Sequence, residues 1–210
     1  MFTYFIISNL SETLSPKSIL ISILLFFLFL SLNGCGSRFP ESKEFIKSYA
    51  LLNQDSSKVV FPNDFKNKIV VMGFMFTNCP DVCPLTTNKM RLIQEKVKDE
   101  GLEDIEFAEL SFDPMRDKPW VLKKYAEIRD LDMHNFQFLT GEDEQIKSIL
   151  KRVNVVAYAE DTTYTDEGEP IYFFMHTDRI ILIDREGNIR KEYPGSHIDI
   201  NEITEDIKHL

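Results

Sequence analysis

The sequence predicts one α/β domain, with a central mixed sheet flanked by helices. Three observations carry that prediction. The segment Lys68 to Phe76, KIVVMGFMF, is apolar on both faces, which suits a central strand covered on both sides. Downstream, strand-like apolar runs alternate with helical ones. Near the C-terminus, two apolar runs flank Asp184-Arg-Glu-Gly187, a hairpin turn with glycine where a positive φ is easiest.

The first segment of the chain stands outside that domain. Residues 19–32, ILISILLFFLFLSL, form a nearly unbroken apolar run, preceded by Lys17 and followed by Gly34-Cys35. An export signal has an apolar core of about 7–15 residues, whereas a membrane span needs roughly 20. We read residues 1–34 as an export signal; the competing reading is an uncleaved N-terminal anchor. Leu32-Asn33-Gly34-Cys35 resembles a bacterial lipoprotein signal, which implies cleavage before Cys35 and lipid on its thiol. Either reading holds the domain at a membrane, in the bacterial cell envelope on the extracytoplasmic, periplasmic side. Residues 35–57 are polar and mixed. They read as a membrane-proximal tether that runs into weak helix or the opening of the fold, with the domain itself over 58–210.

Charge narrows the function classes. The formal net charge is −10, and removing residues 1–34 leaves it there because Glu12 and Lys17 cancel. A nucleic-acid binder needs a basic surface, so that class is excluded. Lipidation of Cys35 leaves Cys79 and Cys83 as the remaining thiols of the three.

The elements follow in order. After the central strand, Pro84 falls near the first turn of a helix, where its missing N–H costs little. Met90, Leu92, Ile93 and Val97 supply that helix's apolar side, and Gly101 stops it. Ile105 to Phe112 is the next strand, ended by Asp113-Pro114. A second helix runs from about Pro119 to Leu131, with Trp120, Leu122, Tyr125, Ala126 and Ile128 as its apolar set; Asp113 and Asp117 are expected to cap it, with Arg116 as their partner. Phe136 to Leu139 is a short strand, and Thr140 reads as the N-cap of a third helix over Glu142 to Val153. Residues 154–170 are acidic and polar, a long loop or a loose hairpin. Ile180–Ile183 and Ile189–Tyr193 form the hairpin strands, and Ile198 to Ile207 the terminal helix. This element order is that of a thioredoxin-like fold, with a cysteine pair after the first central strand.

That pair, Cys79 and Cys83 in Phe76-Thr-Asn-Cys-Pro-Asp-Val-Cys-Pro84, carries the chemistry. On a helical turn, residues four apart point the same way. They can then form a redox disulfide or present two thiolates to one soft metal, and nearby helix N–H groups stabilise the thiolate. Asp81 between them reads as a cap or as negative charge beside a cation. Redox thioredoxins carry two residues between their cysteines and this chain carries three. His176 is the third candidate, because the loop entering the final hairpin lies beside the first helix's N-terminus in thioredoxin-like domains. His134, His197 and His209 sit at a helix end, a turn and the terminus. Two thiolates and one imidazole suit copper in both oxidation states, while a closed structural zinc site usually takes four protein ligands.

Cys79-Pro-Asp-Val-Cys83-Pro, Ser111-Phe-Asp-Pro-Met-Arg-Asp117, Leu139-Thr-Gly141, and His176 followed by Ile181-Leu-Ile-Asp-Arg-Glu-Gly187 stand in one order. In these motifs, over about residues 60–195, the chain resembles the Sco/SenC copper chaperones of cytochrome c oxidase assembly. The resemblance implies one copper ion, Cu(I) or Cu(II), held by Cys79, Cys83 and His176 in a membrane-tethered domain. It further implies delivery to the copper-site subunit of the oxidase, with another periplasmic copper chaperone or a thiol reductase as a further partner. Many members have Asp before the histidine, where this chain has Met175. The alternative function is an extracytoplasmic thiol–disulfide oxidoreductase using Cys79 and Cys83; apart from that redox pair, no catalytic residue is expected.

Overall fold

The computed structural model describes residues 39, 42–45, 47–160, 162–168 and 170–210. The signal over 1–34 and Cys35 lie outside the described residues. Among those described, no helix is long and apolar enough to cross a membrane.

In chain order the strands and helices are β1 (Lys43–Glu44), β2 (Tyr49–Asn53), β3 (Lys58–Phe61), β4 (Ile69–Met75), α1 (Val82–Asp99), β5 (Ile105–Ser111), α2 (Pro119–Ile128), β6 (Phe136–Gly141), α3 (Asp143–Arg152), β7 (Ala157–Ala159), β8 (Thr163–Tyr164), β9 (Pro170–Ile171), β10 (Phe174–His176), β11 (Arg179–Ile183), β12 (Asn188–Pro194) and α4 (Ile200–Ile207). One eight-stranded sheet has the order β1-β12-β11-β4-β5-β6-β2-β3. β4, β5 and β6 are parallel, and the others join antiparallel. This is the mixed sheet of a thioredoxin-like fold.

β4 is central because every one of its residues is buried. A strand flanked by partners and covered on both faces has no solvent side, so it carries no polar alternation. α1 packs on it through Met90, Ile93 and Val97. Asp184 closes the β11–β12 turn, its Oδ1 accepting from the N–H groups of Glu186 and Asn188.

Several expectations need correction. β2 pairs with both β3 and β6, so the fold begins before residue 58. Its alternation of buried Tyr49 and Leu51 with exposed Ala50 is a half-buried strand's pattern, too short to stand out in a polar stretch. Trp120 is 72% exposed and Ile128 69%, because α2 turns only Leu122, Tyr125 and Ala126 inward. Thr140 caps nothing: it lies inside β6, paired with Leu52, and Glu142 takes the cap position of α3 without a side-chain bond. Lys118, rather than Asp113 or Asp117, precedes α2. After α3 come two small antiparallel pairs, β7 with β10 and β8 with β9, the second agreeing with the loose hairpin read as one alternative there.

Candidate metal centre

β4 ends at Met75, and the chain then turns through Thr77 and Asn78 into α1. Cys79 sits in that turn, its N–H donating to the Phe76 carbonyl at 3.2 Å. Cys83 sits in the first turn of α1 and donates its own N–H to Cys79 Sγ at 3.4 Å. The turn is held from below by Asp117, which accepts from the Thr77 N–H at 3.0 Å, from the Thr77 hydroxyl, and from Ser111 Oγ at 2.5 Å. That is why Asp117 does not cap α2: its oxygens are committed to the cysteine loop. Asp81 makes no side-chain cap bond either, although it holds the position before α1.

The third donor arrives from the other end of the chain. β10 pairs with β7 so that His176 lies opposite Ala157. His176 Nε2 lies 4.0 Å from Cys79 Sγ and 3.7 Å from Cys83 Sγ. All three donor atoms fall within 4.8 Å of one another. Nδ1 faces the Thr177 carbonyl at 3.3 Å, which leaves Nε2 for the sulfurs.

Phe76, Phe112 and Phe174 pack around the ring. The centroid distances to His176 are 6.0 Å from Phe76 and 5.0 Å from Phe112, and Phe174 touches both phenylalanines at 5.2 Å. The imidazole is therefore placed before any ligand arrives. A second brace is Asp178, which accepts from Thr86 Oγ1 on α1 at 2.7 Å and from Ser196 N and Oγ. Gly195 permits this approach: a Cβ there would meet Asp178 Oδ1 at 2.1 Å.

The electrostatics are those of a shared proton. The Cys83 thiol beside Cys79 does most to bring the Cys79 pKa down, to about 4; burial opposes this, and His176 and nearby backbone N–H groups help. Cys83 moves upward, first because it donates to Cys79 and then through burial. Burial works against the His176 imidazolium, but the Cys79 sulfur and the Thr177 carbonyl outweigh it and leave its pKa raised. The reduced site thus holds one thiolate, one thiol and a readily protonated imidazole. A thiolate reacts with alkylating agents and a thiol does not. One cysteine should therefore react with iodoacetamide at a rate flat from pH 6 to 8, falling as pH drops through about 4. A rate that climbs about tenfold per unit up to pH 8 would contradict the assignment.

The donor set fits a metal ion of copper's type. Bonds of about 2.0–2.3 Å put three donors around one ion roughly 3.5–4 Å apart, close to the spacing of Nε2 from the two sulfurs. The other histidines stand apart from this centre. His134 lines a 510 Å³ cleft with Lys98 and Gly101, at the far end of α1. His197 bonds Ser196 and His209 the Glu205 carbonyl.

The SCO1/SenC family model matches residues 38–210. The chain belongs to the SCO1/SenC family. A SCO1/SenC family lipoprotein from Bacillus anthracis superposes with a TM-score of 0.69 at 30% identity, covering 84% of this chain and 99% of that one. BsSco, a member of the Sco family of cytochrome c oxidase assembly proteins in which a disulfide switch was identified, gives 0.66 at 29%, over 81% and 94%. Arabidopsis thaliana ScoI, solved with copper bound, gives 0.63 at 26%, over 77% and 94%. In this SCO1/SenC chain Cys79, Cys83 and His176 form a candidate copper site.

Reading the sequence singled out Cys79, Cys83 and His176 but missed what braces them, Phe112, Phe174, Asp117 and Asp178, and it missed the buried Glu109. Glu109 did leave a signal, as a lone acid in the otherwise apolar inner half of β5.

Proposed function

We propose that this protein is a membrane-tethered metallochaperone that delivers copper to the dinuclear copper centre of cytochrome c oxidase. The observation that carries this reading is the convergence of Cys79, Cys83 and His176 within 4.8 Å at the start of α1. Copper is the cargo, and the site's chemistry is exchange. Cys79 and Cys83 supply soft sulfur for Cu(I), and His176 adds the nitrogen that Cu(II) favours. The gradation of burial suits transfer: His176 is half-buried, Cys79 is 9% exposed and Cys83 is 1% exposed. An acceptor's ligands would meet the His176 and Cys79 side first, and Cys83 would release last. The BsSco likeness supports cytochrome c oxidase as the client, and the copper-bound Arabidopsis likeness supports the cargo. Lipid on Cys35 would hold the domain at the membrane where that oxidase sits; the B. anthracis relative is a lipoprotein.

A second reading has its own observation. A depressed Cys79 thiolate beside a Cys83 thiol is the arrangement of a thiol–disulfide oxidoreductase. His176→Ala separates the two. It leaves both sulfurs able to form a disulfide but removes the nitrogen donor. In cells with limiting copper and matched protein abundance, the variant should lower oxidase activity at least several-fold and weaken Cu(II) binding in vitro. Normal oxidase activity would count against the chaperone and favour the oxidoreductase.

A further inference from the structure

One buried charge-bearing group has no part in the function proposed above. Glu109 lies in β5, fully buried, directly under α1. Both its carboxyl oxygens lie within reach of Thr87 Oγ1, at 3.0 and 2.9 Å, and Tyr125 OH lies 3.3 Å from the same hydroxyl. Thr87 stands four residues after Cys83, so the two share one face of α1, one helical turn or about 5 Å apart. The fold makes room for this carboxyl. Gly73 is its register partner in β4, and a Cβ there would come within 2.6 Å of Met90 Sδ and 3.3 Å of the Glu109 side chain. Phe138 faces it from β6.

The groups around Glu109 offer little counter-charge. α1 contributes Cys83, whose thiol is pushed up partly by a charge on Glu109. α2 contributes Tyr125, and the residue after α2, Arg129, attracts the carboxylate from a position stacked on the Tyr125 ring at 3.4 Å. β4 and β6 present no charge there. Burial raises the Glu109 pKa to about 8, against the smaller opposing effects of Thr87 and Arg129.

We infer that Glu109 is the charge-balancing carboxyl of the metal site, neutral with Cu(I) bound and ionised with Cu(II) bound. This rests on the copper reading above. Cu(II) carries one more positive charge than Cu(I), so oxidation adds one positive charge at the bound copper whatever the protonation of the metal-free site. A buried carboxyl bonded to Thr87, the residue one helical turn along α1 from Cys83, answers that charge by releasing its proton. On oxidation one electron leaves copper for an added one-electron acceptor, the Glu109 O–H bond breaks, its electron pair stays on the carboxylate, and the proton passes to water. Reduction by a one-electron donor reverses each step.

The test is the midpoint potential of the bound copper between pH 6 and 8, in the full chain and in Glu109→Gln. Gln keeps the shape and a bond to Thr87 but cannot ionise. The wild-type potential should fall as pH rises, by up to about 59 mV per unit, the equivalent of a tenfold change per unit in the Cu(II)/Cu(I) affinity ratio. Glu109→Gln should show a clearly flatter slope and a higher potential at pH 8. Infrared difference spectra of the wild-type protein need no variant. They should lose a protonated-carboxyl band on oxidation of the copper and regain it on reduction. Parallel slopes in the two proteins, or a carboxyl band indifferent to copper's oxidation state, would overturn the role of Glu109 alone. A wild-type protein that binds neither copper ion would overturn the copper reading and this inference with it.

Discussion

Replacing both Cys79 and Cys83 by serine is expected to lower Cu(I) affinity by on the order of 10³-fold or more, about 4 kcal/mol. Sulfur is the soft donor that Cu(I) selects, and a serine hydroxyl is a hard, neutral one. His176 alone then remains of a three-donor site. Titration of the reduced proteins with Cu(I) against a competing chelator reads the effect, and X-ray absorption at the copper edge reads the sulfur ligation. The wild-type protein should take one ion per chain. Oxidation should reproduce the loss, because a disulfide sulfur is no longer a thiolate. Undiminished Cu(I) affinity in the double variant would remove these cysteines from the site. The fold should survive the change: each sulfur is replaced by an atom of similar place, and the cysteine turn keeps its Asp117 bonds.

Phe76→Ala should destabilise the domain by about 3–5 kcal/mol. Phe76 is 2% exposed and its ring packs against Phe112, Phe174 and His176 at once. Truncation removes apolar burial and leaves a cavity between the sheet and the β7–β10 pair, which cannot close without moving His176. A lower urea midpoint with an unchanged slope measures the loss. Trp120→Ala is the contrasting control. Its ring is 72% exposed, so the change should stay within about 0.5 kcal/mol. A Phe76→Ala loss below about 1 kcal/mol would mean that the aromatic cage does not anchor the histidine.

Much of this fold could be read from local pattern. β4 announces itself by unbroken apolarity, α1 by the spacing of Met90, Ile93 and Val97, and the last hairpin by its Asp-to-Gly turn. The readings that failed are those where distant partners decide. Thr140 has a good cap's chemistry, yet β2 pairs along it and holds it in a strand. Asp117 stands two residues before Pro119 as a cap might, yet its oxygens serve Thr77 and Ser111. Trp120 looks like core because size and apolarity are visible in a sequence, while the direction in which α2 faces the sheet is not.

The sequence by itself determined the chemistry of this protein: two sulfurs four residues apart at a strand-to-helix turn, and a motif order that singles out His176 from four histidines. Helical periodicity is a local property and sets Cys83 in the first turn of α1, whereas Cys79 lies in the turn before it, held through Thr77 by the distant Asp117. Only the tertiary structure brought His176 to within 4 Å of sulfurs more than ninety residues away, through the pairing of β10 with β7 and the aromatic packing behind the ring. It alone buried Glu109 against Thr87 of α1, because whether a charge in a strand meets water or a buried helix depends on what the rest of the chain lays over it.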